Sequence, residues 1–188
     1  MSADERDEHG YDVTVSMGKA NAIAFAMIPV AFALFYLPYR LIWGADSLWQ
    51  FSARPFLDFL LFMAAFAVGI VVHEGLHALG FIWIGKAPRS SIRFGILWRG
   101  LAPYAHCNTA VTATAYRWTL ALPGLMLGVL PAVLGIALGN WWLMVYGALM
   151  FMAAGGDTAV LLAIRSLPGN ALVKDHPSKV GCSVIGNR

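Results

Sequence analysis

Four long stretches of the chain are almost free of polar side chains. They run from about Ala20 to Ile42, Pro55 to Ile84, Trp118 to Leu138 and Trp141 to Ile164. Each reaches the ~20 apolar residues that carry a helix across a bilayer. The third and fourth are separated by Gly139 and Asn140 alone, which predicts an antiparallel helical hairpin. Gly124 with Gly128, and Gly135 with Gly139, stand four apart and predict close helix packing. Pro123 and Pro131 predict bends in the third span. In the fourth span, Asp157 and Thr158 are the clearly polar residues.

Between the second and third spans lies a loop, 85–117, too long and too apolar for a plain connector. Ser91 to Trp98 partly alternates, and after Arg99-Gly100 an apolar stretch continues through Tyr104. Two readings fit, a short β-hairpin at the cytoplasmic surface or an amphipathic segment lying on the membrane. The pattern as a whole predicts an all-α membrane protein of about four transmembrane helices, with that loop as its one place for strands. Residues 1–19 read as a polar, solvated tail. Residues 20–188 read as a single polytopic membrane domain, closed by a cytoplasmic tail over 165–188.

Composition sharpens this. Charged residues make up 12% of the 188, and hydrophobic ones 59%. A soluble domain carries about 25% charged residues, so the apolar surface calls for a lipid solvent. The net charge of +3 is mild and its basic residues are dispersed, which points away from nucleic acid. Their distribution gives orientation. The N-tail, the 85–117 loop and the C-tail carry all the Lys and Arg except Arg40 and Arg54. Both termini are therefore expected in the cytoplasm, and in a bacterium the inner membrane is the expected location. The acidic start, Asp4-Glu5-Arg6-Asp7-Glu8, lacks the basic-then-apolar order of a secretory signal. Cys107 and Cys182 form neither a CxxC pair nor a disulfide framework.

The chemistry sits in the second span, in His73-Glu74-Gly75-Leu76-His77. Four residues of helix put both imidazoles on one face, one turn apart, as two nitrogen ligands of a tetrahedral zinc require. Glu74 is placed to act as general base toward a zinc-bound water. Glu74 is also the one Glu after residue 8, and an ionisable group in a spanning helix is costly unless it faces a partner or a cavity. Asp157 is the candidate third ligand. His73 and His77 lie 11 and 7 residues before Ile84, and Asp157 lies 7 before Ile164. At 1.5 Å per residue, all three sit about 10–16 Å below one membrane surface. The pair Gly155-Gly156 is expected to let the fourth helix come close to the motif helix. Tyr104, His106, Cys107 and Asn108 are candidates for a substrate path with donors for an oxyanion. Asp175 and His176, before Pro177, are candidates for an outer partner, a further ligand or the substrate entrance. Iron also takes two histidines and one carboxylate, and so stands beside zinc.

These motifs together resemble those of the bacterial and archaeal membrane proteins grouped as zincin peptidases, a domain first defined as of unknown function. The resemblance spans roughly residues 60–185. It rests on His73-Glu74-x-x-His77-Ala78, Phe94-Gly95-Ile96, Pro103-Tyr104-x-His106-Cys107, Pro123-Gly124, Gly156-Asp157 and Asp175-His176-Pro177-x-Lys179-x-Gly181. It implies a membrane metalloprotease related in logic to the site-2 proteases, with His73, His77 and Asp157 holding Zn2+ and Glu74 as base. Site-2 proteases surround their aspartate with Asn-Pro-Asp-Gly or Leu-Asp-Gly, whereas Gly155-Gly156-Asp157-Thr158 stands here. The expected activity is hydrolysis of a peptide bond in a membrane-embedded or juxtamembrane segment, with the bilayer and a membrane protein or peptide as partners. A transporter or channel using intramembrane His, Glu and Asp is one alternative, and a membrane protein that binds metal without turnover is another.

Overall fold

The structure is a computed structural model and describes residues 10–44, 54–97 and 102–185. Its elements in chain order are β1 (Tyr11–Val15), α1 (Met17–Trp43), α2 (Pro55–Trp83), β2 (Ile92–Leu97), β3 (Ala102–Cys107), β4 (Val111–Thr112), α3 (Ala113–Leu138), α4 (Trp141–Ala153), α5 (Gly155–Ala163), β5 (Leu172–Asp175) and β6 (Val180–Ile185). The helices α1, α2 and α3 are each long and apolar enough to cross a membrane. The pair α4–α5, bent by 44°, makes a fourth if read as one broken span.

Local chemistry sets the helix ends. Ser16, Thr112 and Asn140 cap α1, α3 and α4, each accepting a backbone N–H three residues on. Pro55 opens α2, where a missing N–H costs nothing. Gly139 closes α3 in the left-handed conformation, φ 66°. Both α1 and α3 contain a π-helical turn, Phe32–Tyr36 and Gly124–Val129. Pro38 and Pro131 follow these turns directly. A proline withdraws one N–H from the ladder, and the wider turn accommodates the break.

Two antiparallel sheets lie at one end of the helices. β2 and β3 form the hairpin, with Ile92 opposite Cys107 and Phe94 opposite Ala105. The loop therefore contains the expected hairpin; residues 98–101 lie outside the described residues. The second sheet has the order β1-β6-β5-β4. This corrects the all-α expectation. Tyr11–Val15 is a strand paired with β6 rather than part of a solvated tail, and the C-terminal tail supplies β5 and β6. The rest of the expected tail, 1–9, lies outside the described residues. The third helix also starts at Ala113, earlier than Trp118, because Thr112 caps it. The strands are short, and β1 pairs with β6 and β4 with β5 from remote parts of the chain, so no local pattern announces those pairings.

Apolar packing falls into two clusters. One joins the sheet to the helices through Val15, Phe81, Val111, Tyr116, Ile164 and Val173. The other, at the far end, joins α1, α3 and α4 through Phe35, Tyr39, Ala132 and Met144. The expected close packing of α3 on α4 is present, with Gly128 against Phe151 and Gly135 against Met144. Gly155 behaves differently from expectation. It packs against Ala24 of α1, and Gly156 meets open space, so neither draws the helix onto α2.

Candidate metal centre

The two imidazoles of α2 lie on one face, with ring centroids 4.9 Å apart and planes at 75°. Both are buried. Asp157 comes to them because the chain breaks at Ala154 and restarts as α5. The break places Asp157 in the first turn of a helix, where open N–H groups and the helix dipole favour a carboxylate. The far end of α5 is fixed by Arg117 of α3. Its Nη2 donates to the carbonyls of Ile164, 2.7 Å, and Leu167, 2.5 Å, groups that a helix end leaves open.

Asp157 Oδ2 lies 3.0 Å from His73 Nε2, and Oδ1 lies 3.2 Å from His77 Nε2. Nδ1 of His77 is 3.1 Å from the Thr119 carbonyl oxygen. A carbonyl only accepts, so Nδ1 carries a proton and donates it, which leaves Nε2 as the nitrogen turned toward Asp157. Metal-bound imidazoles are oriented in this way by an outer acceptor. Nε2 and the carboxylate oxygen, 3.2 Å apart, form a pair that a shared proton or a bound cation holds together. Ligands ~2.0–2.1 Å from a tetrahedral zinc stand about 3.3 Å apart, near the two separations seen. Two imidazoles and a carboxylate, with ligand atoms within 4.8 Å of one another, fit zinc and leave its fourth position open. Among the described residues no other group of three His, Cys, Asp or Glu converges in this way.

Thr119 reaches His77 because Gly80 has no side chain. A Cβ there would stand 2.9 Å from the Thr119 side chain and 3.0 Å from its Cα. Glu74, next to His73, accepts the backbone N–H of Ala105 at Oε2, 2.8 Å. The hairpin strand β3 is thus docked on the motif helix.

The remaining candidates separate. Asp175, buried at the end of β5, accepts the Tyr116 hydroxyl at Oδ1, 2.6 Å, and the Cys107 N–H at Oδ2, 2.8 Å. His106 Nδ1 is 3.8 Å from the same Oδ2. Tyr104 lays its ring over Gly95 across the hairpin. Asn108 is exposed, and its N–H donates to Ser91 O, 2.9 Å. His176 turns away from the metal centre. Its Nε2 is 3.2 Å from Asp12 of β1, and its Nδ1 accepts the N–H groups of Ser178 and Lys179. It shapes the β5–β6 turn and is not a ligand of the triad. Sequence reasoning missed Thr119, Tyr116 and the Ala105 amide. Tyr116, Thr119 and Leu120 recur at helical spacing on the buried face of α3, a signal that was present in the sequence. A backbone amide leaves no such trace.

The apolar helices bring two histidines of the second and an aspartate of the last together as a candidate metal site. The chain belongs to the family described as "Putative zincin peptidase", whose model matches residues 66–172, more than half of its length. No curated protein and no solved structure matches it.

Proposed function

We propose that the protein is a membrane-embedded zinc metallopeptidase that hydrolyses a peptide bond in a membrane-embedded or juxtamembrane segment of its substrate. The observation that carries this reading is the convergence of His73, His77 and Asp157, their ligand atoms within 4.8 Å of one another, beside Glu74. His73, His77 and Asp157 would hold the ion. Zinc, when bound, supplies Lewis acidity that acidifies water and polarises a carbonyl. Glu74 then does the proton work. Its Oε2 is tied to the Ala105 amide, which restrains the carboxylate and leaves Oε1 to accept a proton from the attacking water. The same carboxylate delivers that proton to the departing amine.

The surroundings support a bilayer setting. α2 exposes large apolar side chains along its length, among them Phe56, Leu61, Val68, Val71 and Leu79, which water would not tolerate as a contiguous surface. β1, β5, β6 and the hairpin gather at one end of the helices, and the Lys/Arg bias assigns that end to the cytoplasm. A helical substrate must unwind before its peptide bond can be attacked. β2 pairs with β3 alone among the described residues, so the hairpin has an edge on which an extended segment can add as a strand. A proton or cation pathway would string its ionisable groups along the bundle, whereas here they converge on one point.

The test is paired. Purified protein in detergent should hold about one zinc per chain and cleave a fluorogenic peptide carrying one transmembrane segment. Glu74→Gln should keep the zinc and lose about 10²–10⁴-fold in kcat. Cleavage by Glu74→Gln at the wild-type rate would overturn the mechanism, and metal-free wild-type protein would overturn the site.

A further inference from the structure

Two carboxylates grip the same edge of β3. In an antiparallel pair, the amides of alternate residues turn to one side of the strand. The amides of Ala105 and Cys107 both turn away from β2. One donates to Glu74 Oε2 and the other to Asp175 Oδ2, each at 2.8 Å. They stand about 6.8 Å apart along the strand. Glu74 stands beside His73, whereas Asp175 lies outside the cluster of His73, His77 and Asp157. Asp175 instead draws on three elements. It sits on β5 opposite Cys182 of β6, takes the Tyr116 hydroxyl from α3, and takes the Cys107 amide from β3. The same α3 presents Thr119 to His77 one turn further on.

From this we infer that Asp175 is a positioning residue for Glu74: by fixing β3 relative to α3, it sets where the Ala105 amide stands, and that amide sets the Glu74 carboxylate. Without Asp175, the free edge of β3 would be held by Glu74 itself, and the base would lose an independent reference. Burial pushes the Asp175 carboxyl up, and the Tyr116 and Cys107 hydrogen bonds oppose that shift by favouring the charged form. A carboxylate kept in such a place at that cost needs both donors. Asp175 lies beyond residues 66–172, the part that the family model matches.

Two readouts test this on the zinc-loaded full chain in detergent, comparing wild type with Asp175→Asn and Tyr116→Phe. The first is amide hydrogen exchange over Tyr104–Cys107. Asp175→Asn should speed exchange at Ala105 as well as at Cys107, and Tyr116→Phe should do the same more weakly. The second is cleavage of the fluorogenic transmembrane peptide, normalised to bound zinc. kcat should fall about 10–100-fold in Asp175→Asn, the usual cost of losing an outer orienting partner, with KM within about twofold of wild type. The kinetic arm rests on the peptidase reading; the exchange arm does not. Faster Ala105 exchange in a preparation that never cleaves peptide would uphold the positioning role and count against the peptidase. Unchanged Ala105 exchange in both variants, or an unchanged kcat per bound zinc with merely less folded protein, would overturn the proposal. If Asp175→Asn fails to accumulate, Tyr116→Phe decides by the same two readouts.

Discussion

The molecule holds two partly buried aspartates at the sheet-side end of its helices, and their surroundings differ. Asp175 faces donors, a tyrosine hydroxyl and a backbone amide, and its oxygens are satisfied by the protein alone. Asp157 faces two imidazoles, one of which gives its other ring N–H to a carbonyl. A carboxylate satisfied by a hydroxyl and an amide is part of a scaffold. One set between imidazoles has partners that can also ligate a metal. Sequence position put Asp157 at the depth of the histidines and Asp175 in the tail, and left the role of Asp175 open. The partners separate them.

That contrast can be broken most sharply by removing charge at each aspartate while keeping its shape. Asp157→Asn should cost zinc affinity more than the ~10–100-fold typical of an outer partner, and activity should vanish with it. Asp175→Asn should keep about one zinc per chain. Elemental analysis of the two variants side by side checks this, and equal metal loss in both would erase the distinction.

Chelation comes next in size. Stripping the metal would remove a ligand bound by the folded chain, so the apo protein should melt at a lower temperature, with zinc restoring the loss as its free concentration rises. Asp175→Asn should show the same restoration, and Asp157→Asn should not.

A smaller effect is expected at Gly80. A Cβ there meets Thr119 side-chain and backbone atoms, so Gly80→Ala should force α2 from α3 at a cost of roughly 1–3 kcal/mol. Helix propensity offsets up to about 1 kcal/mol of that. Because the displaced group is the acceptor of His77 Nδ1, zinc affinity should fall along with stability. A stability loss with unaltered zinc binding would mean that Thr119 does not orient His77.

The smallest expected effect concerns Cys182, fully buried opposite Asp175. Burial, with the Asp175 and Asp12 carboxylates adding, pushes its thiol up to about 12. An unfolded thiol ionises near ~8.5. The folded state thus keeps a proton that the unfolded state releases. This contribution is whole below the unfolded value and is lost as pH rises from there toward the folded one. Melting temperature should therefore drift down between pH 8.5 and 10, and Cys182→Ala should flatten the drift. An identical drift in that variant would assign it elsewhere.

How much of this was legible beforehand follows from the range of each interaction. The helices were readable because apolar runs and caps act over a few residues. The hairpin was readable as one of two options, since its strands lie close in sequence. The four-stranded sheet was not. β1 pairs with β6, Tyr11 opposite Val184, and strands so short and so distant leave no local sign of one another. At the metal centre, His73, Glu74 and His77 share a single helix turn, so their spacing declared them. Asp157 was reached by matching depths in two spans, and the structure brings it to the imidazoles. His176 and Asn108 looked as eligible as Asp175, yet His176 turns to Asp12 and Asn108 to the solvent.

The sequence by itself determined the apolar helices and the turn of α2 that carries two imidazoles and a carboxylate, because side-chain polarity and helical period are properties of neighbours along the chain. Only the tertiary structure decided that the second helix turns its histidines to the last, that the Thr119 carbonyl selects the ligand nitrogen of His77, and that one edge of β3 is held by Glu74 and Asp175 together. The last two are contacts of backbone groups, identical in every residue, and they take on a role only when folding brings a particular side chain within about 3 Å.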